Sequence, residues 1–247
     1  KDFMVDRIAD SRLSMQHLKI FQQEYQNTNG DSQAGRYFQL IPLTPATSFS
    51  LKSSGGTKAE RALILAVLNG TGMLKDYGIQ YNSMKSFLKF DRGMLEKNWE
   101  WNCNFYREQV EKCDCLSGGD YLSYMRTKLS EALTTTHTHL INQLIENCEQ
   151  IARDPDYRSR DAAVILSNLR VLFAEISINR LEPDLIIMDE FQRFKTLISA
   201  DESSETSLLA KKFLSTSTGN KDPKVLLLSA PPYKLYSTLE EMEDLQE

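Results

Sequence analysis

The chain has 247 residues, of which 41% are hydrophobic and 26% are charged, and its formal net charge is −5. This length and composition are typical of a soluble globular protein with one large domain or two small ones. A membrane protein is not expected, because no stretch approaches the roughly 20 apolar residues that cross a bilayer.

The charges are divided unevenly along the chain. Residues 1–130 carry 17 Lys and Arg against 14 Asp and Glu, whereas residues 131–247 carry 12 against 20. Polyanion binding grows with the number of phosphates that basic side chains neutralise, so this balance excludes a strong, unspecific nucleic-acid binder. A local basic groove in the first half stays open.

The four cysteines predict free thiols in a reducing cytoplasm. They are too few for a disulfide scaffold at this length, and no C-x-x-C pair accompanies His137 and His139 to indicate a zinc site. The chain begins with Lys1 instead of Met and carries no secretion signal, so we interpret it as a piece of a longer cytoplasmic protein.

Taken in chain order, the first predicted elements are a helix and a strand. The helix covers about residues 2–27, and its apolar side chains recur near one face: Met4, Ile8, Leu13, Leu18 and Phe21. The strand is RYFQLIPL (36–43), which is short, aromatic and rich in β-forming residues. Pro45 then prevents a simple continuation of either element.

The middle of the chain predicts helices joined by short loops. The first, TKAERALILAVLNG, begins at a capping box formed by Thr57 and Glu60 and ends at Gly70. Further stretches with apolar residues three and four apart follow up to about residue 154, without strand-like alternation. After a break at RDPDYRS, one long helix is predicted over residues 160–181.

The end of the chain predicts a strand, a helix and a second strand. DLIIM (184–188) and KVLLLSA (224–230) are continuous apolar runs typical of buried parallel strands, and ETSLLAKKFL between them is typical of a helix. Ligands gather at the carboxyl ends of such strands, which is where Asp189, Glu190 and Ser229 fall.

Asp189 and Glu190 are the candidate catalytic residues. A carboxylate directly after a buried strand can hold a Mg²⁺ ion shared with nucleotide phosphates, and its neighbour can orient or deprotonate the attacking water. The alternative is that the strand runs into an ordinary solvated turn, since such turns often contain acidic residues.

The motifs around these strands resemble those of superfamily 2 DExx-box helicases and the related Swi/Snf-type translocases, with their closest likeness in bacterial helicase-like proteins. DEFQ (189–192) resembles the Walker B motif, and SAPPY (229–233) resembles motif III with Pro231 in place of Thr. LTPATSF (43–49) resembles motif Ia, and the three occur in the family's order. The resemblance implies an ATP hydrolase with ATP and Mg²⁺ as cofactors, acting on DNA more than on RNA.

The resemblance also implies a role for each motif residue. Asp189 would hold Mg²⁺ and Glu190 would activate water. Gln192 would sense the γ-phosphate or couple the motifs. Motif III would couple hydrolysis to strand movement through Ser229, Ala230 and Pro231. Motif Ia would contact the nucleic-acid backbone, without reading sequence, through Thr44, Pro45, Thr47 and Ser48.

The fold that this resemblance implies is α/β, a partial RecA-like (P-loop NTPase) parallel sheet with a large all-helical insertion. About 140 residues separate Thr47 from Asp189, which is longer than the family's usual spacing. We therefore interpret residues 57–155 as the helical insertion, with 1–56 and 156–247 as parts of the RecA-like lobe.

Two parts of such a motor have no counterpart in this sequence. No G-x-x-x-x-G-K-[ST] segment occurs, and SSGGTK (53–58) has the wrong spacing for a phosphate-binding loop. No second lobe follows motif III. We therefore expect the 247-residue chain to bind MgATP poorly and to be inactive by itself. It would hydrolyse ATP only within a longer protein.

Two other functions stay open. One is a non-hydrolysing RecA-like scaffold whose helical domain binds a partner protein, and the other is a metal-dependent nuclease or phosphatase that uses Asp189 and Glu190. Aromatic residues of the predicted insertion could also stack single-stranded bases, although aromatics at helical spacing more often belong to the core. These residues are Trp99, Trp101, Phe105 and Tyr106.

Overall fold

A computed structural model describes residues 12–28, 55–91, 93–181, 185–189, 211, 213 and 223–228. Of these residues 75% are helical, in eight helices, and two short strands pair with each other. The helices are α1 (Leu13–Thr28), α2 (Lys58–Gly70), α3 (Met73–Asp76), α4 (Tyr81–Lys89), α5 (Glu96–Leu116), α6 (Asp120–Thr135), α7 (Thr138–Arg153) and α8 (Ala162–Leu181). The strands are β1 (Leu185–Met188) and β2 (Lys224–Leu227).

The helices share one hydrophobic core, to which α8 contributes a largely buried helix. Twelve of the 20 residues of α8 are buried, which suits a helix that is apolar on all sides. The most extensive contacts between elements are those of α1 with α8 and of α2 with α5. Helices on both sides of the domain boundaries predicted at residues 57 and 155 therefore share this core. The boundaries themselves stay a prediction.

By length and composition α8 could also cross a membrane, contrary to the expectation that no stretch approaches this size. However, 67% of its apolar window is buried inside the protein. The core helix of a soluble protein has the same character. The helix therefore weakly indicates a soluble protein.

The predicted start and end of α2 are confirmed. The Thr57 hydroxyl accepts a hydrogen bond from the Glu60 backbone N–H at 3.2 Å, and the Thr57 N–H donates to Glu60 Oε2 at 2.8 Å. These two bonds satisfy donors that would otherwise be orphaned in the first turn. The helix ends at Gly70, as the sequence indicates.

Predictions for the ends of the chain are confirmed where the structure describes them. Helix α1 buries Leu13, Leu18 and Phe21, as predicted, but its first six residues are all buried, so its burial is not limited to one face. The long helix predicted at 160–181 is α8, which begins two residues later. The strand predicted at 36–43 lies outside the described residues, as does most of the helix predicted between the two terminal strands.

The two strands pair in parallel, as predicted. Leu185 lies opposite Lys224 and Met188 opposite Leu227, and the Leu228 N–H donates to Met188 O at 2.7 Å. Their burial differs from the prediction, because Ile186 and Met188 are buried while Leu185, Ile187 and all of β2 are exposed.

The predicted α/β fold with a RecA-like parallel sheet is wrong. Three quarters of the described residues are helical, and the sheet that they contain has two strands of four residues each. The prediction inferred a whole sheet from the resemblance to helicase motors and from a few short apolar runs. A pair of strands cannot build a core by itself. The core here is instead made largely by the helices, which pack their apolar faces against one another.

Candidate functional site

The predicted catalytic site lies at the carboxyl edge of the β1–β2 pair. Asp189 directly follows β1 and is exposed. Leu228, which follows β2, is hydrogen-bonded to Met188 at the same edge. The chain thus leaves both strands at neighbouring positions, and the Asp189 carboxylate stands where a ligand of a parallel sheet would be held.

The other predicted site residues lie outside the part of the chain that the structure describes, so its geometry joins none of them to Asp189. They are Glu190, Gln192, Ser229, Ala230, Pro231, Thr44, Pro45, Thr47 and Ser48. Among the described residues no group of three or more His, Cys, Asp or Glu side chains could hold a metal ion. Asp189 is therefore the one predicted Mg²⁺ ligand with a described position.

The two glycines of the SSGGTK stretch, which lacks the spacing of a phosphate-binding loop, have a packing role. Gly56 has a φ of +68°, and a Cβ added there would lie 2.4 Å from Arg170 Nε. A Cβ on Gly55 would lie 2.6 Å from the Phe90 ring. Both positions therefore need glycine. Their carbonyl groups accept hydrogen bonds from Arg61 Nη1 at 2.8 and 2.7 Å.

A buried polar cluster around Glu60 lies directly beside these glycines. Arg170 Nε donates to Glu60 Oε1 at 3.0 Å, and the Ser14 hydroxyl donates to the same oxygen at 2.7 Å. The Arg12 guanidinium lies 3.4 Å from Oε2. The side chains of Glu60 and Arg170 are 0% and 1% exposed, so this ion pair is removed from water. The cluster joins α1, α2 and α8.

The environment of Glu60 favours its charged form. Burial by itself raises the pKa of this carboxyl group, but the charge of Arg170 and the hydrogen bonds from Ser14 and Thr57 outweigh that effect. The pKa of Glu60 is therefore lowered from its ordinary value. Such a carboxylate is a structural anion, since its oxygens are already occupied by protein donors.

A second buried polar group is His17 on α1. Its Nδ1 shares a hydrogen bond of 3.1 Å with the Tyr121 hydroxyl, and its ring stacks on Tyr121 and tilts against Phe173. Burial lowers the pKa of His17 to about 3, against a hydrogen bond with the backbone of Ser14 that raises it. The imidazole is therefore neutral in the folded protein at ordinary pH.

The cysteines are free thiols, as predicted. Cys103, Cys113 and Cys148 are buried, whereas Cys115 is exposed. Burial raises the pKa of each of the three buried thiols to about 12. Because the thiolate is the reactive form, these three groups are inert packing residues and not nucleophiles.

The aromatic residues of α5 divide between core and surface. Trp99 is fully buried, and its Nε1–H donates to Lys85 O at 3.2 Å. Trp101 is 63% exposed and Phe105 is 37% exposed. Their rings stack with centroids 5.3 Å apart and planes inclined by 13°. The expectation that such aromatics belong to the core therefore holds for Trp99 and fails for Trp101.

Helical periodicity and capping rules do not predict the buried polar groups of this helical body. They give Glu60 only a capping role and give none to Arg170 or His17. One available signal was Arg170 itself, a charged residue in the apolar run NLRVLF of a helix predicted to be mostly buried. A buried charge requires a partner, and the capping residue of α2 supplies it.

Comparison with known proteins gives no relative for this chain. No family model matches it, no curated protein matches it, and no solved structure matches its fold.

Proposed function

We propose that this chain is part of an ATP-dependent helicase or translocase that acts on nucleic acid, with DNA preferred over RNA. In this proposal Asp189 holds Mg²⁺ of the nucleotide, Glu190 activates water and Gln192 senses the γ-phosphate. Ser229, Ala230 and Pro231 couple hydrolysis to movement. Motif Ia contacts the nucleic-acid backbone through Thr44, Pro45, Thr47 and Ser48. The working compartment is the cytoplasm.

One observation carries this proposal, the parallel pairing of β1 with β2. The pairing brings the end of the strand that precedes DEFQ beside the end of the strand that precedes SAP, with the Leu228 N–H on Met188 O at 2.7 Å. A hydrolysis motif and a coupling motif must be neighbours if one is to respond to the other. The exposed carboxylate of Asp189 at this edge suits Mg²⁺, which takes one or two carboxylates together with phosphate and water.

The test is ATP hydrolysis by the full-length protein, with and without DNA, for the wild type and for Glu190→Gln. We expect DNA-stimulated turnover that falls by at least about 100-fold in the variant, since proton transfer by a positioned side chain contributes roughly 10²–10⁴-fold. Glu146→Gln, an exposed change on α7, is the matched control and leaves turnover unchanged. Equal rates in the wild type and Glu190→Gln would contradict the proposal.

A second candidate is a helical scaffold that binds a partner protein without hydrolysing nucleotide. It is favoured by the size of the helical body, because the core cluster of the described residues is formed almost entirely by helices. The two candidates differ in one measurement, because the scaffold shows no DNA-stimulated ATP hydrolysis. Asp189 and Glu190 would then be an acidic turn after a strand.

A further inference from the structure

The stacked pair of Trp101 and Phe105 forms an exposed aromatic surface on a rigid support. Trp99, two residues earlier on α5, is buried in the core and hydrogen-bonded to Lys85 O. Tyr106 meets Phe105 edge to face with ring centroids 5.1 Å apart, and it packs against the core on its other side. The two exposed rings are therefore held in position before any ligand binds. Such preorganisation lowers the entropy cost of binding.

The residues beside this pair on the same face of α5 are polar. Lys97, Asn98 and Asn104 lie three or four residues from Trp101 and are exposed, and Lys112 lies two turns beyond Phe105. In the described structure none of these four side chains makes a hydrogen bond or an ion pair. The two asparagine amides and the two lysine ammonium groups are therefore available to a ligand that contacts the exposed aromatic rings.

The acidic residues of α5 are mostly neutralised by neighbours. Glu100 pairs with Lys85, Glu96 pairs with Lys89, and Glu111 lies 4.0 Å from Arg107. On the face of α5 that carries the exposed rings, Glu108 is the one acidic residue, compared with two lysines, Lys97 and Lys112. The charge on this face is thus weakly positive, although the chain as a whole is negative.

We propose that this face of α5, defined by Lys97, Asn98, Trp101, Asn104, Phe105 and Lys112, binds single-stranded nucleic acid. A base stacks on the exposed side of Trp101 and so extends the stack begun by Phe105. The side-chain amides of Asn98 and Asn104 donate hydrogen bonds to base edges and accept hydrogen bonds from them, and the two lysines contact phosphates. The lysines are about 22 Å apart along the helix, at a rise of roughly 1.5 Å per residue. The choice of ligand rests on the proposed function.

The polar surroundings favour nucleic acid over a protein partner. Protein interfaces have an apolar centre from which lysine is depleted. Here the neighbours of the exposed rings on the helix face are all polar, two lysines, two asparagines and one glutamate. Aromatic stacking combined with cations is the usual means of holding single strands without sequence preference.

The test is the affinity of the full-length protein for fluorescein-labelled (dT)20, measured by fluorescence anisotropy without ATP. Trp101→Ala is expected to weaken binding by at least about 5-fold, since stacking contributes about 1–3 kcal/mol per base. Val164→Ala removes a similarly exposed apolar side chain from α8 and is expected to change nothing. Replacing both Lys97 and Lys112 by Gln should lower the slope of log K against log salt by about 1.4.

The outcomes separate this inference from the proposed motor. Binding of (dT)20 that depends on Trp101 supports it, even if the protein proves to have no ATPase activity. Equal affinities for the wild type and Trp101→Ala would overturn it, as would no binding at all. It would also be overturned if Trp101→Ala instead changed the molar mass measured by light scattering, because the face would then join two copies of the chain. Glu190→Gln is expected to abolish ATP hydrolysis and leave (dT)20 binding intact.

Discussion

His17 is a titratable group that the fold keeps neutral. The side chain of His17 projects from α1 and is completely buried against α6 and α8. Tyr121 and Phe173 cover its ring, and its backbone N–H donates to the Ser177 hydroxyl at 3.1 Å. Its Nε2 has no hydrogen-bond partner in the described structure. A proton added to this ring would therefore be both desolvated and partly unsatisfied, which is the physical reason for its low pKa.

The first prediction concerns the pH dependence of stability. The pKa of His17 is about 3 in the folded protein and 6.5 in the unfolded chain, so the unfolded chain takes up the proton first. The contribution of neutral His17 to the free energy of unfolding is complete above about pH 6.5 and is lost as the pH falls towards 3. Between pH 7 and pH 5 we expect the free energy of unfolding to fall by about 2 kcal/mol from this group.

Urea unfolding of the wild type and of His17→Phe at pH 7 and pH 5 measures this effect. The variant should lack the fall of about 2 kcal/mol, and His139→Gln, on an exposed side chain, should keep it. The titration of Glu60 does not contribute to the change in unfolding free energy between pH 7 and pH 5. Its pKa is lowered, so its contribution is present above its ordinary value of 4.5 and is lost only as the pH falls further, through its folded pKa. Equal pH dependence in all three proteins would contradict the assignment.

The helices α1, α2 and α8 are joined by one buried ion pair and its hydrogen bonds. Glu60 lies in the first turn of α2, Arg170 comes from the middle of α8, and Ser14 comes from the first turn of α1. The close approach at Gly56 allows Arg170 to reach Glu60 past the start of α2. A buried ion pair is a weak source of net stability, but its geometry is specific because either charge without the other is costly.

The second prediction is that Glu60→Gln destabilises the protein by about 3–5 kcal/mol, because the Arg170 charge stays buried without its carboxylate. Glu149→Gln is the matched control, since Glu149 pairs with Arg153 at 3.2 Å on the surface of α7. That change is expected to stay within about 0.5 kcal/mol. Both values come from urea unfolding at pH 7. Similar small losses in the two variants would show that the buried pair does not hold the helices together.

The helical body and the strand pair are built differently. The large cluster of buried apolar side chains draws on helices α1 to α8 and contains no residue of β1 or β2. Much of the apolar surface of the strands is exposed, including the whole of β2. In the described structure the stability of the molecule therefore lies in the helices.

The third prediction follows from this division. A chain limited to residues 12–181 should fold and unfold in a single cooperative urea transition, because it keeps every residue of the core cluster. Far-UV circular dichroism should show a mostly helical spectrum. Limiting the chain to residues 55–181, which removes α1, is the matching negative control, since it uncovers the face of α8 against which α1 packs. A non-cooperative transition for residues 12–181 would mean that the strands or other segments complete the core.

Helix positions could be predicted from the sequence because the interactions that set them are local. The capping box of Thr57 and Glu60 spans three residues, and the apolar faces recur every three or four. The parallel pairing of two apolar runs also followed from the sequence. The fold class did not, because the number of strands that join a sheet is set by distant segments. Of the candidate site, only Asp189 lies within the described residues, directly after β1, and the roles of all the motif residues, Asp189 included, stay predictions.

What the sequence by itself determined is the longer helices and the parallel strand pair of the described residues, together with motifs that resemble those of a nucleic-acid motor. Only the tertiary structure decided which polar and aromatic side chains are buried. Glu60 and Arg170 are 110 residues apart in the chain, and His17 and Tyr121 are 104 apart. Trp99 and Trp101 are two residues apart on α5, yet one is in the core and the other faces solvent. Local periodicity defines the faces of a helix, but burial depends on which neighbours the whole chain brings to each face.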